Sequence, residues 1–403
     1  MTARTATPRT ARAINDRIAL DLLAEHGPLT AGRLRELTGL SRPSVADLLA
    51  RLARGGLVRD VGEAGEDRRG PKARLYGLVA DRAHVAALDV RTDSVAFALA
   101  DLAGRTVAHV SLPVPPRAGE GAAAPMVPAV LGAFEKAMAE AGIATLHTAV
   151  MGAPGLADPV SGALRPFSSL PAWHRELLAA LRERLGGPVL VENEVNLAGL
   201  AEHRLGAARD RDTFVLVWLG HGTGAALVLD GVLRRGASGG AGEVGFLPVP
   251  ITGGLPNAVE CGGGFHALAS SAAVCDLAVA HGLGPATGQD AAAAEELVRR
   301  AVAEEAAGFL DELAGRVAVG IAGVIAVLDP GCVLLGGEVG RAGGQALVDH
   351  VARRLRALSP LEAEVRAATV GGSPVLGGAL AVALDAARAD LFGPGAAVAG
   401  RGR

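Results

Sequence analysis

Cysteine is scarce: three residues in 403 (Cys261, Cys275 and Cys332), each far from the others in sequence. That spacing offers neither a disulfide framework nor a close-set group of metal ligands, and it favours a reducing, cytoplasmic setting. Long apolar runs are also missing. Half of the residues are hydrophobic, yet Gly, Arg or Glu breaks every Ala/Val/Leu tract before it reaches membrane-spanning length. The opening MTARTATPRTARAINDR has no apolar core, so a secretory signal is not expected. What is present suits a folded protein of two or three domains: a fifth of the residues are charged and the chain is too long for one small core.

The net charge of −3 hides an asymmetry. Residues 1–78 carry 14 Lys/Arg against 9 Asp/Glu, whereas the remainder carries 25 against 33. A small basic module joined to a larger acidic one points to phosphate contact by the first alone.

Within that basic module three helical patterns follow one another. Ile14, Ile18 and Leu22 recur at i, i+4, i+8 until His26-Gly27-Pro28. The second helix opens at Thr30, buries Leu34 and Leu37, and ends at Gly39. The third opens at Ser41 and buries Val45, Leu48, Leu49 and Leu52 until Gly55-Gly56. The short turn Thr38–Ser41 joins the last two as in a helix-turn-helix. Ser41, Arg42, Ser44, Asp47 and Arg51 stay on the polar side, with a guanidinium and hydroxyls suited to base edges and phosphates. Two strands, Leu57–Arg59 and Arg74–Leu78, then flank a Gly- and charge-rich excursion. That is a β-wing whose Arg68, Arg69, Lys72 and Arg74 suit phosphate or minor-groove contact. The expected module is a winged helix-turn-helix over 1–78.

From residue 79 the pattern changes to α/β. Strands are expected at His84–Val90, Ser94–Leu102, Thr106–Val110, Thr148–Met151, Pro188–Val191, Phe214–Leu219, Ala225–Leu229 and Cys332–Leu335. Helices are expected at Ala129–Ala141 and Glu194–Leu205, and long Ala/Leu helices fill the last third. Alternation of this kind implies more than one sheet. Asp230-Gly231 marks a tight hairpin, and the residues after Phe392 read as a disordered tail, 393–403.

These motifs together resemble the ROK family (repressor, open reading frame, kinase), in its transcription-repressor branch. The resemblance runs from Asn15 to about Asp390. It rests on the RRGPKARLYGL wing, MGAPGLADPVSG, VENEVNLAGLAE, LGHGTGAALVLDG, GGAGEVG and VIAVLDPGCVLLGG. It implies a two-lobed, actin-like sugar-kinase fold over 79–392 and a sugar effector in the cleft. It also implies homo-oligomers, dimers or tetramers, on inverted-repeat operators in double-stranded DNA.

Measured against the family, the cleft is altered. The first phosphate turn, an Asp-x-Gly-x-Thr pattern in family kinases, reads Asp89-Val90-Arg91-Thr92-Asp93. The second, Gly220-His221-Gly222-Thr223-Gly224, is kept in type, and either holds a nucleotide or merely shapes a hairpin. Gly336-Gly337 serves nucleotide approach or tight packing. The Asp that takes the hydroxyl proton in family kinases is replaced by Glu194 beside Asn193, and one extra methylene misplaces a base by about 1 Å. Glu194 accepts from a sugar hydroxyl or simply complements a helix N-terminus. Gly155, Asn193, Glu194, Glu243 and His266 are the expected effector residues. Phe246 stands where zinc-binding members carry a His, and only Cys261 remains of the family's three-Cys cluster, so no zinc and no other cofactor is expected. The leading expectation is a sugar-responsive, non-enzymatic DNA-binding repressor. The alternatives are a hexose kinase with an added DNA-binding domain and a regulator that has lost its ligand.

Overall fold

The computed structural model describes residues 8–64, 73–114, 126–165, 171–250, 255–257, 263–284 and 288–393. Arg68, Arg69, Lys72, Cys261 and the tail beyond Gly393 lie outside the described residues.

The N-terminal module is α1 (Pro8–His26), β1 (Leu29–Thr30), α2 (Ala31–Thr38), α3 (Arg42–Arg54), β2 (Val58–Ala64) and β3 (Ala73–Leu78). Local chemistry sets the helix-turn-helix. The Thr30 hydroxyl accepts from Arg33 N–H at 3.1 Å, and Ser41 Oγ accepts from Ser44 N–H at 3.3 Å. Gly39 closes α2 at φ 70°, a left-handed conformation that glycine adopts without a Cβ penalty. The strands pair antiparallel in the order β1-β3-β2, so the wing is longer than expected and Leu29–Thr30 adds an unforeseen third strand.

The apolar residues of α1 divide between two surroundings. Ile14 and Ile18 are not core residues but 52% and 43% exposed. Ala19, Leu20 and Leu23 take the buried face of α1 instead. Ile14 and Ile18 line a groove with Ala389 and Phe392 from the C-terminal end of the chain.

The rest of the chain forms two lobes of the same topology. The first holds β4 (His84–Val90), β5 (Ser94–Asp101), β6 (Thr106–Pro113), α4 (Met126–Glu140), β7 (Thr148–Ala153), α5 (Trp173–Arg184), β8 (Val189–Asn193) and α6 (Glu194–Leu205). The second holds β9 (Phe214–Leu219), β10 (Thr223–Leu229), β11 (Val232–Leu233), α7 (His266–Ala269), α8 (Ser271–Ala280), α9 (Ala291–Ala303), α10 (Ala307–Leu328), β12 (Cys332–Gly336), α11 (Gly337–Leu358) and β13 (Glu364–Ala367). A last helix, α12 (Pro374–Leu391), returns to pack on β4, β7 and α6 of the first lobe. The sheet orders, β6-β5-β4-β7-β8 and β11-β10-β9-β12-β13, correspond strand for strand, with the last three strands of each parallel.

Strand periodicity builds the layers. In β9, Phe214, Leu216 and Trp218 face the core shared with α6 and α12, while Val215, Val217 and Leu219 face α8–α11. In β4, Val85 and Ala87 face that shared core and Ala86, Leu88 and Val90 face α4 and α5. Thus α6 and α12 lie between the two sheets. No helix among the described residues is long and apolar enough to cross a membrane.

Candidate DNA-reading surface and interlobe cleft

Burying Val45, Leu48, Leu49 and Leu52 turns the opposite face of α3 outward. Ser41, Arg42, Ser44 and Asp47 are exposed around its N-terminal end, and Ser41 Oγ and Ser44 Oγ are hydrogen-bonded at 2.9 Å. Of the wing cations, Arg74 is described: it is exposed on β3 and stands 3.7 Å from Asp60. Arg51 is placed differently from its neighbours. Its guanidinium donates to Asp16 on α1 at 2.6 Å and also binds Asp47, and these two acids hold it above its ordinary pKa. Arg51 therefore braces α1 against α3.

The topological equivalence of the lobes sets the β4–β5 turn opposite the β9–β10 turn. Into the space between them runs Arg91. Its Nη1 donates to Glu338 Oε1 at 2.7 Å on the second lobe, and its Nε lies 3.3 Å from Asp89 Oδ2. The guanidinium carbon is 5.9 Å from the Trp218 ring centroid. Burial works against the guanidinium charge, but Asp89 and Glu338 outweigh it and hold Arg91 above its ordinary value. Burial pushes the Asp89 carboxyl up, against the pull of Arg91 and of Ser373, whose hydroxyl donates to it at 2.9 Å. Asp93, by contrast, is exposed outside this network.

The glycines at the cleft separate into two kinds. A Cβ on Gly337 (φ 77°) would sit 2.3 Å from the Leu219 carbonyl oxygen, so the close approach of α11 to β9 demands glycine there, and Gly336 fits against Leu216. Their requirement is met by packing. At Gly222 a Cβ would meet only the His266 ring, at 3.5 Å or more, ordinary contact, and at Gly224 only the Val195 side chain, from 3.2 Å. Thr223 is buried beside them.

Of the expected effector residues, Gly155, Asn193 and Glu194 meet at the first turn of α6 with Glu243 nearby, while His266 stands beside Gly222. Asn193 Oδ1 accepts from the N–H groups of Val195 (2.8 Å) and Asn196 (3.3 Å), while its Nδ2 donates to the Gly155 carbonyl at 3.1 Å and to Glu194 Oε2 at 3.3 Å. Asn193 is thus helix cap and site wall at once. Burial, with Asp89 and Glu243 nearby, pushes Glu194 up to about 7. Desolvation raises Glu243 as well. Burial, then His221, lowers His266, the first residue of α7. Glu338, Trp218 and Ser373 were missed from sequence; they lie more than a hundred residues from Asp89, with no local motif to announce them.

A raised carboxyl has a pH consequence. Glu194 takes up a proton more readily in the folded state, so its stability contribution is complete below its ordinary 4.5 and is lost as pH rises toward 7. Glu194→Gln is expected to flatten the melting temperature between those pH values and to stabilise the protein at pH 8. Parallel melting curves for both proteins would contradict the assignment.

Of the positions that hold zinc in the family, one is Phe246 here, and Cys261 lies outside the described residues. The Phe246 ring has no lone pair to offer, and among the described residues no three His, Cys, Asp or Glu stand together as a metal site.

Comparison with known proteins agrees with this architecture. The ROK family model matches residues 85–386 and the MarR family model residues 14–70. The DNA-binding transcriptional dual regulator NagC of Escherichia coli K12 is 25% identical over 268 residues, 65% of this chain and 63% of NagC. The chain therefore spans less than two thirds of that relative. A crystal structure of a ROK family transcriptional regulator, a homolog of the E. coli MLC protein, superposes with a TM-score of 0.71 at 20% identity over 96% of this chain and 98% of that one. A ROK glucokinase from Streptomyces griseus, solved with glucose and AMPPNP, gives 0.61 at 25% identity over 75% of this chain and 100% of that one. A winged-helix module thus precedes a two-lobed actin-like body whose paired turns face one cleft, and the chain belongs to the ROK family.

Proposed function

We propose that the protein is a DNA-binding transcription regulator, a repressor of carbohydrate-metabolism genes acting in the cytoplasm. α3 enters the major groove and the wing follows adjacent phosphates. Two or more copies grip an inverted repeat, and a sugar or sugar derivative between the lobes shifts their relation. That shift requires the ligand to bind the two lobe arrangements with different affinity.

The observation that favours regulation over phosphoryl transfer is Arg91. A kinase turn leaves room for phosphate against backbone N–H groups. Here a guanidinium fills that room and is already neutralised by Asp89 and Glu338. Glu194, one methylene longer than the family's Asp, stands near the ligand end with its pKa raised. Such a pKa would suit a general base; what weighs against turnover is the extra methylene, which displaces the carboxylate by about 1 Å. Phe246 changes the sugar contacts on the facing side.

Two assays test this reading. With ATP and a panel of hexoses, ADP release is expected to stay at background, and turnover above it would establish a kinase. In thermal-shift screening with neutral sugars, sugar phosphates and amino sugars, at least one class is expected to stabilise the fold; saturation at about 100 times Kd adds about 2.7 kcal/mol. No stabilisation by any class would favour a regulator without a ligand.

A further inference from the structure

We infer that α12 is a strut carrying the state of the cleft to the DNA-reading module, seated at one end on Asp89 through Ser373 and bearing at the other on α1 through Phe392. The inference deepens the regulator reading and rests on it. α12 follows the second lobe in sequence yet packs on the first, and its 18 residues span about 27 Å. At its N-terminus the Ser373 hydroxyl does two jobs. It accepts from Leu376 N–H at 3.2 Å as the cap, and it donates to Asp89 at 2.9 Å. Asp89 in turn holds Arg91, which reaches across the cleft to hydrogen-bond Glu338 and to lie over Trp218. Separating the lobes breaks the Arg91–Glu338 contact and leaves Arg91 to Asp89 alone, which competes with the cap at the head of α12.

The shaft is rigid. Val375, Ala379, Ala383 and Ala387 are fully buried, and Gly378 lies directly against the Leu197 carbonyl of α6. The foot is anchored at the junction of the modules. Arg388 donates to the Leu102 carbonyl at 3.0 Å, and the Leu102 N–H donates to the Ala80 carbonyl at 2.9 Å, within the short connection between β3 and β4. Phe392 is buried, with the Arg17 guanidinium of α1 at 5.9 Å from its ring centroid. The preceding residue of α1, Asp16, holds Arg51 of α3. One continuous apolar cluster runs from Leu20 and Leu48 of the DNA-reading module to Leu384 and Phe392. Motion at the foot of α12 thus meets the helix that orients α3, with no flexible linker between.

Spatial continuity alone does not establish coupling, so the test is a double-mutant cycle on the full chain. Amide hydrogen exchange is read for α1 without ligand in wild type, Glu338→Gln, Phe392→Ala and the double variant. Affinity is read for a duplex that the wild-type protein selects from random DNA. Glu338→Gln is expected to raise exchange across α1 by about tenfold or more and to weaken the duplex by several-fold. In the Phe392→Ala background the same substitution should add less than about twofold to α1 exchange, because the bearing is already gone. Ser373→Ala, which leaves the Arg91–Glu338 pair in place, should reproduce the α1 response should Glu338→Gln fail to fold. Loosening confined to residues 89–94 and 337–345, with α1 unchanged, would overturn the strut. An α1 response in a protein that selects no duplex would sink the regulator reading and leave the strut standing.

Discussion

Arg42→Ala is expected to lower affinity for the selected duplex by roughly 5- to 150-fold, the loss of about 1–3 kcal/mol that one good bidentate base contact supplies. The substitution should leave binding to scrambled DNA nearly unchanged. The reasoning begins with the turn. Ser41 caps α3, and Arg42 is its first residue, exposed at the end that the helix-turn-helix presents. A cation there, beside the Ser44 hydroxyl, meets base edges before any other part of the helix. Lys72→Ala should behave in the opposite way, weakening all DNA alike and reducing the salt slope by about one. Arg51→Ala should act chiefly on stability, since its guanidinium is spent on Asp16 and Asp47. Competition binding of each variant to the two duplexes checks all three. Equal losses on both duplexes for Arg42→Ala would remove it from base recognition.

Gly378→Ala is expected to have the largest effect on folding. An ideal Cβ at Gly378 would lie 1.9 Å from the Leu197 carbonyl oxygen, 2.6 Å from its carbon and 2.9 Å from its Cα. Those are backbone atoms of α6, so no side-chain rotation relieves the clash. The α6–α12 pair must open, and it is sandwiched between both sheets. Overpacking a core costs about 1–3 kcal/mol where neighbours can yield, and more where they cannot. We expect a loss of about 3 kcal/mol or more by chemical denaturation, or no soluble protein at all. Alanine would ordinarily favour a helix by about 1 kcal/mol over glycine, so a destabilisation separates the packing effect from propensity. A gain in stability would show that α12 does not cross α6 this closely.

Local signals carried much of the fold. Capping at Thr30 and Ser41, the left-handed Gly39 and the short apolar runs of β4 and β9 are all written over a few residues, and those elements lie where these signals put them. α5 escaped notice because its polar WHRELLAALRER pattern sits between glycine-rich loops, and β13 because Glu364–Ala367 shows no clear alternation. The setting of Ile14 and Ile18 has a tertiary cause: they are apolar at helical spacing, but Ala389 and Phe392, which line a groove with them, are at the far end of the chain. The cleft divides in the same way. Asn193, Glu194 and Gly155 sit in motifs and are brought together. The role of Arg91 depends on Glu338, 247 residues away, and that of Asp89 on Ser373, 284 residues away; no window of sequence contains either pair.

The most direct test of the central claim is a salt titration of the full-length protein on its selected duplex and on a scrambled duplex of equal length. The account predicts an inverted repeat with half-sites separated by about one helical turn or a multiple of it. It further predicts an affinity ratio of about a thousand or more, with binding to both duplexes falling steeply as salt rises. Selection that enriches no motif, with equal and weak affinity for both duplexes at every salt concentration, would contradict it.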